Sequence, residues 1–176
     1  MSRPRLRDRF WLLLILASMI VSLPASAQRK DYLSGIEADK IREAETPSLK
    51  IKLFISFAGD RLKKFQYELS RTTPDRRRTE RLNDLLNAYA SCLDDGAELI
   101  SLGVEKQEDI RLGVKEMQDR AKEFLAYLEK FSASGASELP ALKDNLEDAI
   151  DSTRQAIKDA DKAAKEMSPP PVRRKQ

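Results

Sequence analysis

Histidine is absent from the 176 residues of this chain. Imidazole is the side chain that titrates near neutral pH, and it is the commonest metal ligand in proteins. Its absence excludes Ser-His-Asp and Cys-His nucleophile pairs and every zinc, copper, haem or di-iron site that depends on histidine. No glycine-rich phosphate-binding pattern occurs either, and no pair of carboxylates stands out as an acid–base couple. We therefore expect no enzymatic activity, no cofactor and no metal site.

Cysteine occurs once, at Cys92, so the chain cannot form an internal disulfide. No Asn-x-Ser/Thr glycosylation site occurs in it. Because small secreted eukaryotic domains are commonly rich in disulfides, these absences favour a bacterial envelope protein. Cys92 falls on an apolar stripe between Tyr89 and Leu93, which predicts a buried thiol rather than a redox-active one.

The N-terminal segment has the layout of a signal peptide. Four arginines among the first nine residues precede the mainly apolar run 10–23, and Ala25-Ser26-Ala27 follows as a cleavage site of small residues. The apolar run is shorter than the ~20 residues that a spanning helix needs, although a retained anchor is the alternative. We expect residues 1–27 to be removed after Ala27 and the protein to be exported, to the periplasm or beyond the cell.

Removal of this leader changes the charge balance of the protein. The full chain has 32 Lys and Arg against 29 Asp and Glu, whereas residues 28–176 contain 28 of each. The basic isoelectric point therefore belongs largely to the leader, and nucleic-acid binding is not expected.

The remaining composition favours long helices, because glycine is scarce, aromatics are only 6% and charged residues are 35%. Apolar residues recur at alternating steps of three and four, the period of one helix face. Ser34 with Glu37 predicts a capping box, and Thr46 with Pro47 predicts the next helix start. The pattern predicts helices over 35–45, 47–71, 74–102, 105–131 and 140–167. Residues 28–46 thus form an N-terminal segment with a short helix, 47–167 a helical bundle, and 168–176 a Pro-rich, basic, disordered tail.

The simplest packing of these elements is an all-α, antiparallel four-helix bundle with the short extra helix at its N-terminal side. In this arrangement Gly103 ends the third helix as a left-handed cap. The alternative is an elongated, coiled-coil-like molecule, because apolar positions spaced by seven keep one phase from Leu82 to Phe131. One continuous helix from about 74 to 131 would then run through Gly103.

Charge is unevenly distributed along the helices. Residues 50–81 contain ten basic and four acidic side chains, whereas residues 82–151 contain seven basic and sixteen acidic ones. The acidic clusters are interpreted as solvated helix surface. The basic segment predicts a patch for an anionic partner, with intramolecular pairing to the acidic helices as the alternative. The patch comprises Lys63, Lys64, Arg71, Arg76, Arg77, Arg78 and Arg81.

These features predict a non-enzymatic protein that acts by binding, as an adaptor or chaperone-like scaffold in the cell envelope. Its expected partner is another envelope protein or a second copy of itself. The alternative function is that of a peripheral membrane protein, which binds anionic lipid or a wall polymer through the basic patch within 63–81.

Overall fold

A computed structural model of the protein describes residues 32–72, 75–134 and 140–167. Helices make up the ordered elements of these ranges, and no strand occurs in them, so the predicted all-α bundle is confirmed. The expectations for the leader 1–27 and the tail 168–176 lie outside the described residues. In chain order the described elements are α1 (Gly35–Glu43), α2 (Pro47–Ser70), α3 (Arg78–Glu105), α4 (Arg111–Ser134), a 3-10 turn (Pro140–Leu142) and α5 (Lys143–Glu166).

The four long helices surround one core in the order α2, α3, α5, α4. Helix α2 packs against α3 and α4, and α5 packs against the same two helices. Consecutive helices run in opposite directions. Helices α3 and α4 lie diagonally opposite each other, and the neighbouring pairs α2/α4 and α3/α5 run parallel. The connection over residues 106–110 therefore crosses the end of the bundle. In the simplest predicted packing, each helix would instead lie beside the next one in the chain.

The core consists of the apolar stripes that the sequence shows. On α4 and just before it, the buried positions follow the predicted steps of four and three. Aromatic rings join different helices edge to face: Phe65 meets Phe131 at 5.3 Å and Tyr89 meets Phe124 at 5.9 Å between ring centroids. Full burial of a large apolar side chain contributes about 1.5–3 kcal/mol, so this core is the main source of stability. The buried stripe on α4 comprises Ile110, Val114, Met117, Ala121, Phe124 and Leu128.

Both predicted helix starts at the N-terminal side are confirmed. The Ser34 hydroxyl accepts a hydrogen bond from the Glu37 amide, and the Glu37 carboxylate accepts one from the Ser34 amide, which completes the capping box of α1. Thr46 caps α2 by accepting a hydrogen bond from the Leu49 amide at 3.2 Å.

The predicted role of Gly103 is wrong. Helix α3 continues through it to Glu105, and the left-handed residue of the turn is Gln107, with φ 55°. The Glu108 amide bonds to the Gly103 carbonyl and the Gln107 amide to that of Val104, a Schellman arrangement. Gly103 is instead needed for close packing, because a Cβ there would lie 2.6 Å from Cγ2 of Ile110.

The turn over 106–110 also rules out the continuous helix from 74 to 131. Helix α4 begins at Arg111 rather than at residue 105. The amide of Gly113, in its first turn, donates a hydrogen bond to the Ser48 hydroxyl of α2 at 2.8 Å.

Helix α3 begins at Arg78 rather than near Pro74. Asp75 first forms a turn, in which its side chain accepts a hydrogen bond from the Arg77 amide and its carbonyl accepts one from the Arg78 amide. Pro74 itself lies outside the described residues.

Candidate functional site

The structure brings the predicted basic patch together at one end of the bundle. Part of the patch lies on the last turns of α2 and the rest lies in the turn 75–77 and the first turn of α3. Because α2 and α3 are antiparallel neighbours, these segments meet. We call this surface the basic end; it comprises Lys63, Lys64, Arg71, Arg76, Arg77, Arg78 and Arg81.

Two carboxylates that lie beside the basic end are paired with its arginines. Glu68 accepts hydrogen bonds from Arg81 at 2.5 Å and from Arg71 at 3.2 Å, and Asp75 accepts one from Arg81 at 2.6 Å. The hydrogen bond from Arg81 lowers the pKa of Glu68 against the opposing effect of burial. The Arg77 amide, followed by Arg81, lowers the pKa of Asp75. Arg71 and Arg81 are therefore paired within the basic segment itself, and not with the acidic helices as the alternative expected.

Arg78 has a structural role at the same junction. Its guanidinium donates to the carbonyl of Leu69 at 2.6 Å, in the last turn of α2. A cation at this position satisfies a terminal carbonyl and complements the negative end of the helix dipole. Arg78 thus joins the end of α2 to the start of α3.

Four cations of the basic end remain after these contacts are formed. Lys64, Arg76 and Arg77 are exposed, and no carboxylate of the described ranges lies within ion-pair distance of their side chains. Lys63 makes only a loose pair with Asp60, at 3.6 Å between two exposed groups, and such pairs contribute little. The basic end therefore keeps an unneutralised positive surface, and its anionic partner stays a prediction.

Tyr67 lies within this surface and was missed by the sequence analysis. Its side chain is 69% exposed. On α2 it follows Lys63 by four residues and Lys64 by three, so these three side chains lie on one helix face, and Arg71 is the C-cap residue that follows the helix. The sequence could have indicated this exposed ring, because Tyr67 lies outside the apolar stripe of Leu62, Phe65 and Leu69 and on a charged helix face.

A second charged surface lies along α3 and α5. Between residues 82 and 105, α3 carries five carboxylates and no cation. A shallow groove of about 460 Å³ separates it from α5, with Asp94, Asp148 and Asp151 among its lining residues. These three carboxylates are exposed, as the solvated-surface interpretation predicts. We call this surface the acidic side. Its groove is completed by Asn87, Ala90, Ser91 and Ser152.

Cys92 is fully buried among the core residues, as predicted. Burial raises the pKa of its thiol to about 12, against a smaller opposing effect of Arg61. A thiol with this pKa is protonated at neutral pH and is a poor nucleophile.

The fold and its surfaces define an all-helical bundle with segregated charge. No protein-family model matches the chain, and neither a curated protein nor a solved structure matches it significantly. Within residues 32–72, 75–134 and 140–167, no helix is long and apolar enough to cross a bilayer. The same residues contain no cluster of three or more Asp, Glu or Cys side chains that could hold a metal ion.

Proposed function

We propose that this chain is an exported, non-enzymatic binding protein of the cell envelope, which acts as an adaptor or chaperone-like scaffold for another protein. The observation that carries the proposal is the segregation of charge on one well-packed bundle. Residues 50–81 have a surplus of six positive charges and residues 82–151 a surplus of nine negative ones, although residues 28–176 are neutral in total. Neutrality alone does not require the charges to be separated in this way.

Segregated charge is useful for recognition. Complementary potentials steer two proteins into the correct orientation and can raise association rates by ~10–10³-fold. They also disfavour partners of the wrong sign, because juxtaposed like charges are costly. A packed four-helix core holds both surfaces in fixed positions, as a scaffold requires.

The acidic side is the better candidate for contact with a protein. Small side chains at Ala90, Ser91 and Ser152 line its groove beside the carboxylates. These residues would allow a partner's helix or extended segment to approach closely, while Asp148 and Asp151 would pair with Lys or Arg on that segment. We therefore expect a partner with a basic binding segment.

Site-specific photo-crosslinking in native envelopes tests the proposal. A photoreactive amino acid at Ser91 samples the acidic side, and the same amino acid at Ser56, in the groove between α2 and α4, is the matched control. We expect one dominant protein adduct from Ser91 and none from Ser56. The adduct should be lost on the charge reversal Asp148→Lys with Asp151→Lys. It should be kept on Glu45→Lys with Glu108→Lys, at exposed positions outside the acidic side.

Two results would contradict the adaptor function. One is the absence of any protein adduct from either position. The other is a set of adducts that is the same from Ser91 and Ser56 and insensitive to both charge reversals, since this pattern reports random collision rather than a binding face.

A further inference from the structure

We infer that the basic end is a docking surface for anionic lipid headgroups, with Tyr67 as its interfacial anchor. This inference goes beyond the adaptor function and uses a different part of the surface. It names the occupant of the basic end, a negatively charged membrane, which would hold the bundle there while the acidic side stays accessible.

The first supporting observation is the surplus of cations. Between residues 60 and 81 the only carboxylates are Asp60, Glu68, Asp75 and Glu80, against seven Lys and Arg of the basic end together with Arg61. Glu68 and Asp75 are already engaged by arginines. Lys64, Arg76 and Arg77 are left exposed, and a basic residue close to an anionic leaflet strengthens binding about fivefold.

The second observation is the exposed ring of Tyr67 among these cations. Tyrosine is enriched at membrane interfaces, because its ring enters the headgroup region while its hydroxyl stays hydrated. The ring lies on the same face of α2 as Lys63 and Lys64. A soluble polyanion would use the charges alone, whereas a bilayer also accommodates the ring.

The third observation concerns the first turn of α3. The side chain of the N-cap residue Arg77 makes no capping bond, and the Asp75 carboxylate accepts a hydrogen bond from the Arg77 amide alone. The positive end of the helix dipole lies at the same place as Arg76 and Arg77, and this placement is locally unfavourable for the cations. Phosphate groups of a lipid surface would interact favourably both with the N-terminus of α3 and with the side chains of Arg76 and Arg77.

Vesicle binding provides the test, with protein isolated from the envelope and its N-terminus determined from the intact mass. Co-sedimentation is measured with neutral phosphatidylcholine vesicles and with vesicles that also contain anionic phosphatidylglycerol. We expect binding only to the anionic vesicles, and at least tenfold weaker binding when salt is raised to screen the surface charge. A retained leader would carry four arginines and would itself favour anionic vesicles, so the location of the binding surface is decided by charge variants that leave the leader unchanged.

Charge-neutralising variants locate the binding surface. Replacement of Lys64, Arg76 and Arg77 by Gln should weaken binding by about a hundredfold, from about fivefold per residue. The matched control replaces Lys122, Lys158 and Lys165 by Gln, which makes the same change of net charge at exposed positions on α4 and α5. All six positions are exposed, so both variants should fold as the parent does.

A single tryptophan reports on the position of the ring. The chain has one Trp, at position 11 in the leader, so Tyr67→Trp gives residues 28–176 a single tryptophan, which can be excited selectively. Trp11→Phe is added if the leader is retained. The control Ile36→Trp lies on α1, where Ile36 is 71% exposed. We expect a blue shift with anionic vesicles for Tyr67→Trp only.

The inference is overturned by equal binding to neutral and anionic vesicles, by equal loss in the two triple variants, or by equal fluorescence shifts at positions 67 and 36. Retention on a soluble polyanion with no binding to vesicles overturns it as well. None of these results affects the crosslinks expected from Ser91, so failure of the lipid surface is distinguishable from failure of the adaptor function.

Discussion

Arg61 of α2 donates two hydrogen bonds to the two carboxylate oxygens of Glu37 in α1, at 2.6 and 2.7 Å. The side chains are only 8% and 15% exposed, and Arg61 also donates to the Tyr32 carbonyl at 2.9 Å. Helix α1 has no fully buried residue of its own, and this bidentate pair attaches it to the bundle together with the partly buried Ile41. The same Glu37 completes the capping box with Ser34, so one side chain both starts α1 and docks it.

The Glu37–Arg61 pair predicts a stability that depends on pH. The hydrogen bond from Arg61 is the largest cause that lowers the pKa of Glu37, from 4.5 to about 2, against the opposing effect of burial. A depressed carboxyl pKa stabilises the folded state fully above pH 4.5, and this contribution is lost as pH falls from 4.5 to about 2. We expect Glu37→Gln to lower the free energy of unfolding by about 2 kcal/mol at pH 7, after allowance for solvent screening.

Urea unfolding at a series of pH values measures this contribution. The difference between the parent and Glu37→Gln should shrink steadily from pH 4.5 towards pH 2. Glu43→Gln, on the exposed part of α1, is the control and should show no such trend. A Glu37→Gln difference that stays constant down to pH 2 would contradict the pairing.

Most of the helical architecture could be predicted from local signals. The stripe ending in Phe124 and Leu128 and the caps at Ser34 and Thr46 each depend on residues close together in sequence. The failure at Gly103 has a physical cause, since glycine serves both left-handed turns and close helix contacts, and local sequence does not distinguish these uses. The diagonal placement of α3 and α4 could not be predicted either, because an apolar stripe shows which face of a helix is buried but not which other helix covers it.

The residues of the basic end could be predicted from the sequence, but which of its cations are paired could not. The seven cations are visible in the sequence, yet their separation into paired and unpaired groups depends on Glu68, which reaches Arg81 thirteen residues away across two helices. That contact exists only because the last turn of α2 lies beside the first turn of α3. The role inferred for Tyr67 likewise depends on which face of α2 stays uncovered.

The close contact between Gly103 and Ile110 predicts that a Cβ at position 103 destabilises the fold. We expect Gly103→Ala to lower the free energy of unfolding by about 1–3 kcal/mol, despite alanine's higher helix propensity, because Ile110 must shift. A double-mutant cycle with Ile110→Ala should show a coupling of about 1 kcal/mol or more, since the small residue removes the clash. Gly35→Ala is the control, because a Cβ there meets nothing within 4 Å. Additive effects of Gly103→Ala and Ile110→Ala would refute the steric explanation.

The buried hydrogen bond between Tyr89 and Thr153 predicts an asymmetry between its two deletions. The Thr153 hydroxyl donates to the Ala149 carbonyl at 2.6 Å, so the Tyr89 hydroxyl, 2.7 Å away, must be the donor of the pair. Tyr89→Phe leaves Thr153 with its own bond to Ala149 and should cost about 1 kcal/mol. Thr153→Val leaves a buried phenol hydroxyl without an acceptor and should cost about 1–3 kcal/mol.

Chemical denaturation of the two single variants and of the double variant measures this asymmetry. The double variant should be more stable than the sum of the single effects predicts, because no unsatisfied hydroxyl remains. A larger loss for Tyr89→Phe than for Thr153→Val would reverse the assigned donor.

Cys92 should be unreactive towards thiol reagents in the folded protein. It is fully buried, and its pKa of about 12 leaves a thiolate fraction on the order of 10⁻⁴ at pH 8. Reaction with an aromatic disulfide reagent should therefore proceed only through opening of the bundle and become fast in denaturing urea. Ser91→Cys in a Cys92→Ala background is the control, because position 91 is half-buried and lines the groove of the acidic side. If native Cys92 reacted as fast as this control, the thiol would be accessible, and the packing of α3 against α2 would have to be looser than the structure shows.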